Sequence, residues 1–460
     1  MAPPLVERNR EREGRSRASS ASWVLAGRAW VRDRLQPVEI GIDDIGRIVR
    51  IGRSIPGIER HDVGDSIILP SATDLHVHFR EPGPPGADEN LATGTQQAAL
   101  GGVGLVADMP NNVPAVASVN RVAEKIDRAR GRLAVDLLIY ALARESRTIT
   151  RLAQVAGAFK LFLAPTSEAE DAPAPEVVRA ILGAVATSGL PLSVHAEDPR
   201  KFRAIGPIRD LEDWDHHRPV AAEMGGVSEL VPNPESLRLH VAHVTAARVA
   251  EMVATSANSF EVTPHHLLLS SRSAPDTHRK VNPPLRSERE RAELWEWFRS
   301  GRVPCLASDH APHPPSLKDL AFARAPSGMP GVETMLPLLL AEVRSSNLDF
   351  ATLLRAACDR PARWLGMPQG QLAVGYRANL LVVDFRARVS LAARHLHAPC
   401  GWTAFEGWEA IFPVEHYLDG RRLVAAGEFQ GTSTGRVVRP EYAPGMSPSV
   451  PIAPAETGRR

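Results

Sequence analysis

Between residues 73 and 308, short apolar runs alternate with longer stretches of helical character. The runs are "TDLHVHF", "VGLVADM", "AVDLLIYAL", "AFKLFL", "PLSVHA", "RLHVAHV", "SFEVT" and "VPCLAS". Between several of them lie good helix formers, such as "ATGTQQAALGG", "ASVNRVAEKIDRARG", "PEVVRAILGAVATSG" and "AARVAEMVATS". Strands separated by helix-sized segments predict parallel βα units. Eight such runs predict an α/β fold, a (β/α)8 barrel of the TIM type, over residues 71–368. On either side the pattern changes to β-like alternation broken by turn residues, in "SWVLAGRAWVRDRLQPVEIGIDDIGRIVRIG" and later in "GQLAVGYRANLLVVDF" and "HYLDGRRLVAAGEF". Residues 22–70 and 369–434 are therefore expected to meet as the two halves of a small flanking β-sandwich domain. "FATLLRAACDRPARWLGM" reads as a helical linker back to it. Residues 1–21, rich in Arg, Glu and Ser, read as a solvated leader, and the Pro-rich residues 435–460 as a tail.

The barrel gains support from where the polar residues fall. His76, His78, Asn112, Lys160, His195, His243 and Asp309 all stand at the C-terminal ends of apolar runs. Barrel active sites are built at that rim. Bulk composition narrows the classes of function. With 460 residues and 43% hydrophobic content the chain can bury a large core. A net charge of +1 gives no global pull toward nucleic acid or an anionic membrane. Three scattered cysteines, Cys305, Cys358 and Cys400, make no disulfide framework and fit a reducing cytoplasm. The N-terminus has no apolar core of a secretory signal, and no apolar run has transmembrane length.

His76 and His78 are two residues apart, so on a strand they share one face with Arg80. With His195, His243 and Asp309 at the same rim, imidazoles and a carboxylate form a donor set suited to zinc and its neighbours. Lys160, in "GAFKLFLAP", has two readings. It is a lysine snorkelling from a strand end, or a desolvated neutral amine that takes up CO2 and bridges two metals as a carbamate. With two metals, Asp309 would move a proton to a leaving nitrogen, the machinery of amide hydrolysis or its reversal. Arg80 and Asn112 are then candidates to bind substrate, a guanidinium matching a carboxylate through two parallel hydrogen bonds. Asn282 in "KVNPPLR" and His313 in "SDHAPH" stand on neighbouring loops as further candidates. "HPPSLKDLAFARAPSG" is a candidate for the loop that closes over the substrate.

The stretches "DLHVHFREPG", "TGTQQAALGGVGLVADMPNN", "GAFKLFLAP", "SVHAED", "VAHVTAA", "EVTPHHLLLS", "KVNPPLR", "SDHAPH" and "GMPGVETMLPLLL" together resemble the amidohydrolase superfamily and, within it, the dihydroorotases. The likeness runs from about residue 22 to 430. It implies a binuclear centre of two Zn2+, with His76 and His78 on one metal, His195 and His243 on the other, carboxylated Lys160 bridging, and Asp309 as ligand and general acid/base. It implies that Arg80, Asn112, Asn282 and His313 bind the substrate, and that the reaction is the reversible cyclisation of N-carbamoyl-L-aspartate to L-dihydroorotate in pyrimidine synthesis. Family habit also suggests association with an aspartate carbamoyltransferase, or a homodimer. Allantoinases and dihydropyrimidinases share the metal motifs, and Arg80 directly after "HVHF" separates dihydroorotases from allantoinases. A non-catalytic scaffolding subunit is disfavoured because all six ligand positions are filled. His265 and His266 are given a structural role, and His216, His217, His278, His395, His397 and His416 are read as ordinary polar positions.

Overall fold

The computed structural model describes residues 20–440 apart from 57–58, 85–87, 167–171, 257, 274–276 and 432. The expected leader and tail fall outside the described residues except at their inner edges. Each of the eight apolar runs contains a strand: β1 (Ala72–Val77), β2 (Val103–Asp108), β3 (Asp136–Leu142), β4 (Ala158–Phe162), β5 (Leu192–His195), β6 (Leu239–Val241), β7 (Ser259–Val262) and β8 (Cys305–Leu306). They pair in parallel in sequence order. Their residues are almost all buried, as expected of strands packed on both faces. The ring closes through a bridge between Val77 and His310. His78 N donates to His310 O (2.7 Å), and Ser308 N to the buried carboxylate of Asp74 (3.0 Å). Helices such as Leu91–Leu100, Pro175–Ser188 and Glu288–Arg299 cover the outside.

The flanking domain is one eight-stranded sheet drawn from both ends of the chain. The N-terminal strand Glu59–Pro70 pairs antiparallel with the C-terminal strand Leu380–Val383, which joins the two halves. Three hairpins turn on two residues each, Arg32–Asp33, Asp419–Gly420 and Ala426–Gly427. Both residues of each turn have positive φ, the handedness that matches strand twist. Arg377, 1% exposed, ties the sheet to the barrel: its Nε donates to Asp419 (2.7 Å) and its Nη1 to Asp136 at the start of β3. The linker forms Phe350–Leu354, a π turn Arg355–Asp359, and Arg360–Leu365.

The segment expected to begin the tail is docked at its inner edge. Val437 and Val438 pair in parallel with Leu137 and Leu138 of β3. The Arg439 guanidinium donates to the carbonyls of Ala153, Gln154 and Ala156.

Candidate active site

The C-terminal ends of the strands converge on a cavity lined by His76, His78, Arg80, Asn111, His195, His243, Asn282 and Asp309, with Phe162, Thr166, Ala311, Ser327 and Gly328. The four imidazoles form a row. Ring centroids are 5.2 Å apart from His78 to His76, 5.2 Å from His76 to His243 and 4.7 Å from His243 to His195. Asp309 Oδ1 lies 3.3 Å from His76 Nε2 and 3.4 Å from His78 Nε2. One ligand atom from each of His76, His78 and Asp309 falls within 4.8 Å of the others. The backbone bends sharply to aim these groups. Arg80, His243 and Asp309 have φ of 52°, 37° and 47°, a left-handed region that costs a non-glycine residue energy and clusters at functional sites.

Three of the four rings are fixed from behind. Glu261 Oε1 lies 2.6 Å from His76 Nδ1, Asn111 Oδ1 lies 2.8 Å from His78 Nδ1, and Glu197 Oε2 lies 2.7 Å from His195 Nε2. An acceptor on one ring nitrogen holds the proton there and leaves the other nitrogen's lone pair for a cation. That lone pair faces the cavity: Nε2 on His76 and His78, and Nδ1 on His195, which is 3.0 Å from His243 Nε2. Burial also keeps these rings neutral. It lowers the His76 pKa to about 4, His78 and His243 well below the ordinary value, and His195 in the same direction. Neutral imidazole is the ligating form. Burial pushes the Asp309 carboxyl upward. It would also raise Glu261, but His76 and His240 outweigh burial and hold that carboxylate ionised; Arg218 and His195 do the same for Glu197.

Lys160 is fully buried in the middle of β4, its Nζ 3.4 Å from Ser193 Oγ and 5.3 Å from the Phe162 ring. Burial lowers its pKa to about 8, toward the neutral amine that carbamate formation requires. The donor set and its inward lone pairs therefore fit a divalent cation of the first transition row.

Arg80 Nη2 lies 3.2 Å from His313 Nε2, which is 3.0 Å from Ser327 O. Ser327 Oγ donates to Asn282 Oδ1 (3.1 Å). Of the candidates from the sequence, His76, His78, Arg80, His195, His243, Asn282 and Asp309 line this cavity, His313 stands behind Arg80, and Lys160 is buried in β4. Asn112 is turned away, its Oδ1 accepting from buried Lys125 (2.7 Å), and its neighbour Asn111 lines the cavity instead. The strand has ended by this point, so alternation no longer says which of two adjacent asparagines points inward. Sequence reasoning also missed Glu261, Glu197 and Ser327. For Glu261 the signal was an acid inside the apolar run "SFEVT". His265 and His266 are buried in structural positions, with His266 Nε2 3.1 Å from Pro283 O. His416, read as an ordinary polar position, is fully buried, bonded to Ser71 Oγ (2.9 Å) and Ala99 O (2.7 Å).

A parallel barrel with a row of neutral imidazoles and a buried carboxylate at its C-terminal rim defines a barrel hydrolase. The model of the amidohydrolase family matches residues 67–449. Among curated relatives, the dihydroorotase of Archaeoglobus fulgidus is 35% identical over 405 residues, covering 84% of this chain and 94% of its own. That of Methanosarcina mazei is 34% identical over 450 residues, covering 89% and 95%. That of Methanosarcina acetivorans is 33% identical over 419 residues, covering 84% and 88%. The chain belongs to the amidohydrolase family and, within it, groups with the dihydroorotases. It is a cyclic amide hydrolase acting on a small molecule. Among solved structures, the L-hydantoinase (dihydropyrimidinase) of Arthrobacter aurescens superposes with a TM-score of 0.85 at 24% identity, covering 91% of this chain and 100% of that one. The dihydropyrimidinase of Brevibacillus agri gives 0.80 at 21% identity, covering 92% and 98%. These likenesses establish the barrel fold. Among the described residues, no helix is long and apolar enough to cross a membrane.

Proposed function

We propose that the enzyme interconverts N-carbamoyl-L-aspartate and L-dihydroorotate, the ring-closing step of pyrimidine synthesis, at a binuclear metal centre in the cytoplasm. The observation that carries this reading is Arg80 on the cavity wall, beside His313 and next to the imidazole row. A guanidinium there suits a substrate whose ring bears a carboxylate. His76, His78 and Asp309 would hold one Zn2+, and His195 and His243 the second, with carboxylated Lys160 between them. Bound metal supplies Lewis acidity to the scissile carbonyl and acidity to water.

The chain's own residues do the rest. Arg80, His313, Asn282 and Asn111 orient the ring through its carboxylate and polar edge. Glu261 and Glu197 keep His76 and His195 in the ligating tautomer. Asp309, with its affinity for a proton raised by burial, takes the proton released as water adds to the ring carbonyl. It delivers that proton to the ring nitrogen as the C–N bond breaks. Run in reverse, Asp309 accepts the ureido proton while the bond forms and water leaves. Association with an aspartate carbamoyltransferase, or a homodimer, is a further part of the proposal that size-exclusion with both chains tests.

Replacing Arg80 by Met keeps much of the side-chain stem and removes the fork. Loss of a charge-assisted contact costs about 2–4 kcal/mol, or roughly 30- to 900-fold in kcat/KM for L-dihydroorotate. Metal content should stay at the wild-type level. Metal lost in parallel with activity would overturn the role given to Arg80.

A further inference from the structure

We infer that Lys318 and Trp402 are positioning residues that hold residues 313–328 in a fixed, substrate-ready form, so that this segment is a preformed wall of the pocket and not a lid. The inference rests on the reading of His313 as part of the substrate clamp. The sequence of the segment, polar and Pro-rich beside the site, suggested a closing loop. Its contacts suggest the opposite.

Lys318 is fully buried although its neighbours Leu317 and Asp319 are exposed. Its Nζ donates to Pro326 O and Gly328 O, both at 2.9 Å, across the neck of the segment. A second buried lysine, Lys280, comes from the preceding loop. Its Nζ donates to Phe322 O (2.7 Å) and Ala325 O (2.8 Å), between the rings of Trp214 and Phe322. Four carbonyls of one segment are thus turned onto two ammonium groups. Opening the segment would strip Lys280 of these partners, and an unpartnered buried ammonium is strongly disfavoured, while Lys318 staples the segment's two ends to each other.

The two ends that reach the cavity are fixed as well. Trp402, from the chain beyond the barrel, donates from its indole Nε1 to His313 O (2.9 Å), and its ring lies 5.6 Å from Lys318 Nζ. Gly328 has φ of 133°, and a Cβ there would meet Ala311 O at 2.5 Å and His313 Nε2 at 3.1 Å. Only a glycine lets the two ends close on each other, with His313 Nε2 3.0 Å from Ser327 O.

The test is hydrogen–deuterium exchange on the full-length, zinc-loaded enzyme, with and without saturating L-dihydroorotate, in wild type and Lys318→Met. Met fills similar space without donating. In wild type, amides of 313–328 should exchange slowly without ligand and change less than about twofold on its addition. In Lys318→Met their exchange should rise about tenfold or more while that of the barrel strands holds, and KM should rise about tenfold with kcat nearly unchanged. Trp402→Phe, which keeps a ring but loses the N–H, should move both readouts the same way by less. Fast exchange in wild type that slows tenfold or more with ligand would overturn the inference, as would a Lys318→Met enzyme with wild-type exchange. If L-dihydroorotate is not a substrate, only the kinetic arm and the ligand addition fall; the exchange of the free wild type and variant still decides the loop.

Discussion

Replacing Glu261 isolates what the buried carboxylates contribute. Glu261 faces His76 Nδ1 at 2.6 Å with one oxygen and His240 Nε2 at 3.0 Å with the other. In Glu261→Gln one of those oxygens becomes an NH2, so one ring that donated must now accept. His240 can switch tautomer cheaply, because its Nδ1 lies 3.0 Å from the Ser259 hydroxyl, which can donate or accept. The amide should therefore turn its NH2 to His240 and keep its oxygen on His76. His76 then keeps its ligating tautomer and loses only the charge on its partner. Weakening such an outer partner costs about tenfold in metal affinity, or roughly 1.4 kcal/mol. Glu261→Leu leaves the His76 Nδ1–H unpartnered in a dry core, and His240 Nε2 without a partner even after its proton moves to Nδ1. It should lose about a hundredfold in zinc affinity and about 3 kcal/mol of stability. Competition titrations against a chromophoric chelator, with thermal melts of the metal-free proteins, measure both. If both variants bound zinc like the wild type, His76 would be either no ligand or no dependant of Glu261, and the metal assignment would fail with it.

Lys160→Ala should abolish turnover and lower zinc occupancy, and short carboxylic acids should restore part of each; full activity in the variant would end the bridging proposal. His416 tests the seam between the small sheet and the barrel, away from any proposed metal. Burial lowers its pKa from 6.5 to about 4, so its contribution to stability is complete above pH 6.5 and is lost as the pH falls toward 4. The unfolded chain binds a proton there that the native protein refuses. Between pH 6.5 and 5 this amounts to about 2 kcal/mol. His416→Asn, which can still donate to Ala99 O, should show a correspondingly shallower fall in melting temperature over that range, and an unchanged slope would refute it.

The barrel was legible because parallel strands packed on both faces are mostly apolar, so polar residues in or just after those runs stand out. His76, His78, Lys160, His195, His243 and Asp309 stood out for that reason. What was hidden was what lies behind or beyond the strands. Glu261 and Glu197 act through contacts made in three dimensions, and an isolated acid in a strand carries no label of its partner. Asn111 and Asn112 are chemically identical neighbours past a strand end, where no periodicity picks one. Lys280 and Lys318 look like surface lysines in polar loops, and only the fold turns carbonyls onto them. The pairing of Val437–Val438 with β3 was masked by the Pro-rich composition that follows it.

The most direct test of the account is the ratio of kcat/KM for L-dihydroorotate to that for dihydrouracil, with allantoin alongside, on the zinc-loaded enzyme. These rings share a cyclic amide, and only L-dihydroorotate carries the ring carboxylate that Arg80 is positioned to read. A preference of about a hundredfold or more for L-dihydroorotate is expected. Equal or greater turnover of an uncharged ring would keep the amide chemistry and contradict the substrate.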